Sequence, residues 1–129
     1  MTRVANWEQG FLDFIAEETA KPFSWEENNC LSLVVKNIKF LRGGFECPVV
    51  CSWGSQKASR VALRKLGFNS LSEALSRYLE EINPMTAQRG DVGVISNGAM
   101  VCVGGVFVGR NEEGRVLKNV GQIEKAFKV

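Results

Sequence analysis

Cys30 is the residue of this 129-residue sequence with the clearest potential for covalent chemistry. It follows the segment from Pro22 to Asn29 and stands directly before an apolar run with helical spacing. A thiol in the first turn of a helix lies at the positive end of the helix dipole, beside amides that could hold a developing oxyanion. The sequence therefore leaves two interpretations open: a nucleophile, or a small buried residue that opens a helix.

The chain contains no histidine, and this weighs against catalysis at Cys30. A nucleophilic cysteine normally needs an imidazole that takes the thiol proton and gives it to the leaving group. Asp91 and Glu27 are candidate substitute bases, but a carboxylate of ordinary pKa accepts a thiol proton poorly. General base catalysis contributes about 100- to 10,000-fold to a rate. We therefore expect a poorly activated thiol.

The other cysteines do not complete a metal site. Cys47 and Cys51 have the spacing of some zinc half-sites, but no histidine and no second pair could complete a tetrahedron. Cys102 lies in an apolar, strand-like run, where a free thiol usually behaves as a small hydrophobic residue. We expect Cys30 and Cys102 to be reduced, and we expect no metal and no cofactor.

Size and charge indicate one folded domain that spans residues 1–129. The mass is 14.3 kDa, and 45% of the residues are hydrophobic. Sixteen basic against fourteen acidic residues give a net charge of +2, which favours neither nucleic acid nor an anionic membrane as a partner. We expect no signal peptide, because the N-terminus has no apolar core segment and reaches Glu8 almost at once. We expect no membrane insertion, because no apolar run reaches the roughly 20 residues of a spanning helix. The basic face of Arg60, Arg64 and Lys65 is expected to be solvated.

Apolar spacing and cap residues predict four helices before Pro84. Their predicted bounds are Trp7 to about Thr19 with Asn6 as cap, Cys30 to Leu41 with Asn28 or Asn29 as cap, about Gln56 to Leu66 with Ser55 as cap, and Ser70 to Ile82, closed by Asn83. The second helix is apolar around much of its circumference, so we expect it to be central. The segment from Phe45 to Gly54 is expected to be a loop or a short extended piece.

After Pro84 the pattern changes to short β-rich runs. The predicted strands are Asp91 to Ile95, Met100 to Val103, Val106 to Val108, a strand near Val116, and Phe127 to Val129, with a helical turn around Gln122 to Lys125. Asn97-Gly98 and Gly104-Gly105 are good hairpin turns. The fold class is therefore α+β, with N-terminal helices packed on a C-terminal antiparallel β-meander.

Three features occur in a distinctive order: the Phe23-Ser24-Trp25 approach to Cys30, the Arg89-Gly90-Asp91-Val92 strand entry, and a hairpin with Val103-Gly104-Gly105. With the tail Phe127-Lys128-Val129, the chain resembles a small family of uncharacterised phage and prophage proteins. That family looks like a remote branch of the NlpC-type cysteine peptidases, which have a papain-like fold. The resemblance covers roughly residues 7–129.

The resemblance implies a role for individual residues. Cys30 takes the position of the nucleophile, Asn29 stands where the relatives usually have aspartate, and Asp91 enters the strand of the Gly-Asp motif. Aligned on the glycine that closes the hairpin strand, the peptidase histidine falls at Gly98, which has no side chain.

Two functions follow as expectations. The first is a virion structural protein of a phage, a tail or tail-tip component on a papain-like scaffold that has lost catalytic residues; its partners would be other tail proteins. The second is an active phage cysteine hydrolase that cleaves peptidoglycan peptides during entry. A more distant third is an inhibitor or immunity-type binding module. The first places the chain, after synthesis in the host cytoplasm, in the virion.

Overall fold

Helices precede an antiparallel sheet in the computed structural model, which describes residues 3–44, 55–96 and 98–129. The helices in these ranges are α1 (Phe11–Ala20), α2 (Cys30–Arg42), α3 (Gln56–Lys65) and α4 (Leu71–Tyr78). The strands are β1 (Glu80–Ile82), β2 (Val92–Ile95), β3 (Gly98–Cys102), β4 (Val106–Asn111), β5 (Gly114–Asn119) and β6 (Lys125–Lys128). Short 3-10 turns span Pro84–Thr86 and Val120–Gln122. The predicted α+β class is confirmed.

The second helix is the central one, as predicted. The Asn29 side chain caps α2 by accepting a hydrogen bond from the Ser32 amide, and Gly43 ends the helix in the left-handed conformation with φ 79°. Eight residues of α2 are buried: Leu31, Ser32, Leu33, Val34, Val35, Asn37, Ile38 and Leu41. The helix packs against β3, β4 and α1. Its N-terminus is therefore fixed against the sheet.

The sheet is only partly a meander. Its strand order is β1-β6-β2-β3-β4-β5, so β2 to β5 follow one another as predicted, whereas β6 returns to the opposite side of β2. Phe127 pairs with Val92 on one side and with Glu81 on the other. The prediction that the last strand completes the meander was wrong, because β1 and β2 together offer β6 a site with two neighbours. Ala126 and Phe127 are fully buried there.

Two helix boundaries differ from the prediction. α1 begins at Phe11 instead of Trp7, because Asn6 adopts a left-handed φ of 59° and its carbonyl accepts a turn hydrogen bond from the Gln9 amide. The helix that was expected to continue to Ile82 ends at Tyr78. Residues 80–82 form β1 instead, since β6 provides hydrogen bonds for them.

The hairpin between β2 and β3 also differs in detail. Ile95 pairs with Gly98, so Gly98 already belongs to β3. Ser96, directly after β2, has a left-handed φ of 52°. Asn97 and the predicted loop from Phe45 to Gly54 lie outside the described residues. Within the described ranges, no helix has both the length and the apolar character needed to cross a membrane.

Candidate functional site

A cavity of about 360 Å³ lies where the start of α2 meets β3 and β4. Cys30, Gly98 and Ala99 all line it. The predicted nucleophile and the predicted position of the missing histidine thus share one cavity. The remaining lining residues are Phe23, Trp25, Arg60, Ile95, Ser96, Met100, Gly109, Arg110, Asn111, Val116 and Lys118.

Asn29 holds the approach segment and the helix start together. Its amide nitrogen donates to the Trp25 carbonyl at 2.9 Å, while its Oδ1 accepts from the Ser32 amide at 2.9 Å. Ser24 and Asn28 close the intervening turn with two backbone hydrogen bonds. Asn29 is fully buried, so its role in this structure is to position Cys30 and Trp25.

The Cys30 thiol lies in an environment that favours its neutral form. Burial raises the pKa of the Cys30 thiol, while backbone hydrogen bonds from Ala99, Cys30 and Leu31 and the charge of Arg110 lower it to a smaller extent. The thiol is therefore protonated near neutral pH, where only a thiolate would be an effective nucleophile. The helix N-terminus does not compensate for the burial.

Asp91 is not placed to act on Cys30. Its Oδ1 accepts hydrogen bonds from Arg3 at 2.9 Å and from the Val129 amide at 3.0 Å, and its Oδ2 accepts one from the Gln88 amide at 2.8 Å. It is buried and lines a different cavity, with Arg3 and Val129. Asp91 therefore connects the N-terminal segment to β2 and β6. The second candidate base, Glu27, is exposed and does not line the Cys30 cavity.

Arg110 is a buried cation beside Cys30 that the sequence analysis did not single out. Its Nε donates to the Asn29 carbonyl at 3.0 Å, its Nη1 to the Glu18 carbonyl at 2.6 Å, and its Nη2 to Ser32 Oγ at 3.0 Å. Burial lowers the pKa of Arg110, and the negative charge of Glu18 opposes this shift. Through these contacts the guanidinium joins β4 to the end of α1 and the start of α2.

Glu18 is the anion of the same network. It accepts from Lys21 at 2.7 Å and from Lys36 at 2.9 Å, and it lies 3.5 Å from Arg110 Nη1. Burial acts to raise the pKa of Glu18, but the hydrogen bonds and charges of the two lysines outweigh it, and the pKa is lowered. With three cations and one carboxylate, the network has a net positive charge next to the cavity.

Two more cationic side chains, less buried than Arg110, also line the cavity. Arg60, on α3, is exposed as expected, and Lys118, on β5, is half-buried. Within the described residues neither forms an ion pair, and no Asp or Glu from those residues lines the cavity. Phe23 and Trp25 form an aromatic wall. Their ring centroids are 5.0 Å apart and their ring planes are at 89°. The cavity therefore combines positive charge with apolar surface.

Over residues 2–129 the sequence matches the family described as Domain of unknown function (DUF6950). The chain belongs to this family. A comparison with curated proteins and a comparison with solved structures each gave no match. Because the description of the family states no activity, the function has to be argued from the site.

In this DUF6950 domain, Cys30 and Cys102 are both free thiols. Burial raises the pKa of Cys102, whose Sγ donates to the Gly104 carbonyl at 3.1 Å. The described ranges contain no cluster of three or more His, Cys, Asp or Glu side chains that could hold a metal ion. Cys47 and Cys51 lie outside those ranges. Because Arg60, Arg110 and Lys118 line the cavity, and no Asp or Glu of the described residues does, the chemistry that it supports is binding of an anionic group.

Proposed function

We propose that the chain is a phage virion structural protein, a tail or tail-tip component built on a papain-like scaffold that has lost its catalytic residues. One observation carries the proposal: Cys30 at the start of α2 and Gly98 on β3 line the same cavity in a chain that has no histidine. In the papain-like arrangement that the resemblance implies, the nucleophile opens the central helix and the histidine stands on the adjoining strand.

Three physical features support a non-catalytic role. The thiol is neutral near pH 7, since burial raises the pKa of Cys30. Both oxygens of Asp91 are already engaged in hydrogen bonds away from the cavity. The cavity itself is well defined, because Asn29 and Arg110 fix its walls. A scaffold with a preserved cavity, and with no acidic side chain of the described residues on its wall to act as a base, is suited to bind a partner without converting it.

The proposed partners are other tail proteins and, for a tip component, peptidoglycan. The proposal is tested first by location. Virions of a phage that carries the gene are purified, tails are separated from heads, and proteins are identified by mass spectrometry. We expect a fixed number of copies of the chain per tail, and its absence from purified virions would overturn the structural role.

The alternative, an active hydrolase of peptidoglycan peptides, is tested separately. Purified protein and the Cys30→Ala variant are incubated with labelled cell walls, and released peptides are counted. We expect no release above background from either protein. Release by the wild type that Cys30→Ala abolishes would show that an unconventional base activates the thiol.

A further inference from the structure

We propose that the Cys30 cavity binds an apolar group that carries one carboxylate, as the last residue of a peptide does. The inference stands on the described cavity alone and goes beyond the proposed place in a tail. It would hold in any protein with this arrangement of side chains.

The positive charge in the cavity lacks a counter-charge within the described residues. Arg60 and Lys118 line the cavity and form no ion pair there. Arg110 adds to the local field, but its nitrogens already donate to Asn29, Glu18 and Ser32. A ligand anion would therefore be contacted by Arg60 and Lys118, and a planar guanidinium can bind a carboxylate with two parallel hydrogen bonds.

The backbone argues for a carboxylate over a phosphate. Phosphates at helix N-termini are bound mainly by free backbone amides. Here the Ser32 amide donates to Asn29 Oδ1 and the Leu33 amide to the Asn29 carbonyl. The Ser32 and Leu33 amides are thus engaged, and the cations of two side chains remain, which suits a singly charged group.

The apolar wall of the cavity favours a ligand that has an apolar part in addition to its anionic group. Phe23 and Trp25 are half-buried and in edge-to-face contact, and Ile95 and Val116 extend the wall. A ligand that covered this surface would gain free energy in proportion to the apolar area removed from water. The volume of about 360 Å³ lies near the low end of small-ligand sites, about 300–1,000 Å³. A peptide terminus fits this size, and so does a small aromatic acid.

The test is calorimetric titration of the full chain at low salt with four probes. They are acetyl-phenylalanyl-leucine with a free carboxylate, the same peptide as its C-terminal amide, 3-phenylpropionate, and phenyl phosphate. We expect the peptide acid to bind at least about tenfold more tightly than its amide, which corresponds to about 1.4 kcal/mol. Binding of the acid should weaken as salt rises.

Charge-removing variants locate the site. Arg60→Gln and Lys118→Gln should each weaken binding of the peptide acid by about fivefold or more, because each removes one cation from the cavity wall. Arg64→Gln is the matched control: Arg64 lies on the same helix, is exposed and does not line the cavity. It should leave the affinity unchanged. Circular dichroism of each variant checks that the fold is intact.

The outcomes are distinct. Equal affinity for the acid and the amide, no binding of either carboxylate, or an equal loss in Arg64→Gln and Arg60→Gln would each overturn the inference. Tighter binding of phenyl phosphate than of both carboxylates would also overturn it. If both carboxylates bind, the inference is supported, and the tighter one identifies the source as a peptide terminus or a small acid. A failed virion test would leave this result unaffected, so the two proposals fail separately.

Discussion

Replacing Arg110 by methionine should destabilise the fold far more than any surface substitution on the same sheet. The side chain is 3% exposed and donates to the carbonyls of Asn29 and Glu18 and to Ser32 Oγ, at 3.0, 2.6 and 3.0 Å. Methionine is unbranched and fills similar space, so the change removes the charge and the three hydrogen bonds with little cavity formation.

The expected loss in the free energy of unfolding depends on the hydrogen-bond partners that Arg110→Met leaves without a donor. Hydrogen bonds of a charged group contribute about 1.5–3 kcal/mol each. Adding the three hydrogen-bond contributions overstates the net loss, because the variant no longer has to bury a guanidinium, which costs several kcal/mol. Both carbonyls also keep a backbone partner, the Leu33 amide for Asn29 and the Lys21 amide for Glu18, each at 3.3 Å. We therefore expect a loss of about 3–5 kcal/mol in the free energy of unfolding. That is a large part of the roughly 5–15 kcal/mol of a typical domain.

Urea denaturation followed by tryptophan fluorescence measures this loss for wild type and variant. Arg115→Met is the matched control. Arg115 pairs with Arg110 across β4 and β5, is exposed, and donates one hydrogen bond to Thr19 Oγ1 at 3.1 Å. It should cost less than about 1 kcal/mol. A loss below about 1 kcal/mol in Arg110→Met, at an unchanged denaturant slope, would refute the view that this guanidinium joins β4 to the helices.

Three further predictions concern the helix start and the thiol. Asn29→Ala should cost about 2 kcal/mol by urea denaturation, more than Ser55→Ala at the exposed cap of α3, because Asn29 is buried and also binds Trp25; equal losses would contradict this. Because its folded pKa is raised, Cys30 should react with iodoacetamide more slowly than a free thiol, whose pKa is about 8.5, and its contribution to stability, present below that unfolded value, should fall as pH rises further. Rapid alkylation at pH 7 would oppose the assignment of a neutral thiol. Gly98→His should increase the alkylation rate of Cys30 at pH 7 by about tenfold or more, since a Cβ there meets nothing closer than the Ile95 carbonyl at 3.5 Å. The control is Gly105→His, in an open turn, and equal rates would argue against a vacated histidine position.

Local signals determined which elements could be predicted from sequence. The bounds of α2 were predicted within a residue, because Asn29 and Gly43 are a cap and a stop that act on their immediate neighbours. The position of β6 was not predicted, because strand order depends on distant segments. The end of α4 was misplaced because Ile82 fits the apolar spacing of that helix as well as a strand, and only the pairing with β6 decides between them.

The site divides in the same way. Cys30 and Gly98 were identified from short motifs, and the structure brings them to one cavity. The burial of Arg110 could have been predicted from the sequence pattern. Arg110 shares the inward face of β4 with Val108, and Glu18 lies one turn after Ile15 on the buried side of α1. Charges on two inward faces indicate a buried pair. Arg60 and Lys118, in contrast, belong to separate elements that only the tertiary fold brings to one cavity.

The neutral Cys30 thiol and the proposed anion site are linked electrostatically. In an active cysteine enzyme the thiolate is itself an anion within the site. Here burial keeps the Cys30 thiol neutral, so it contributes no negative charge against Arg110, Arg60 and Lys118. Glu18 cannot supply that charge, because Lys21 and Lys36 already neutralise it. The cations on the cavity walls therefore have no negative partner among the described residues that line the cavity, and this suits them to a carboxylate that comes from another molecule.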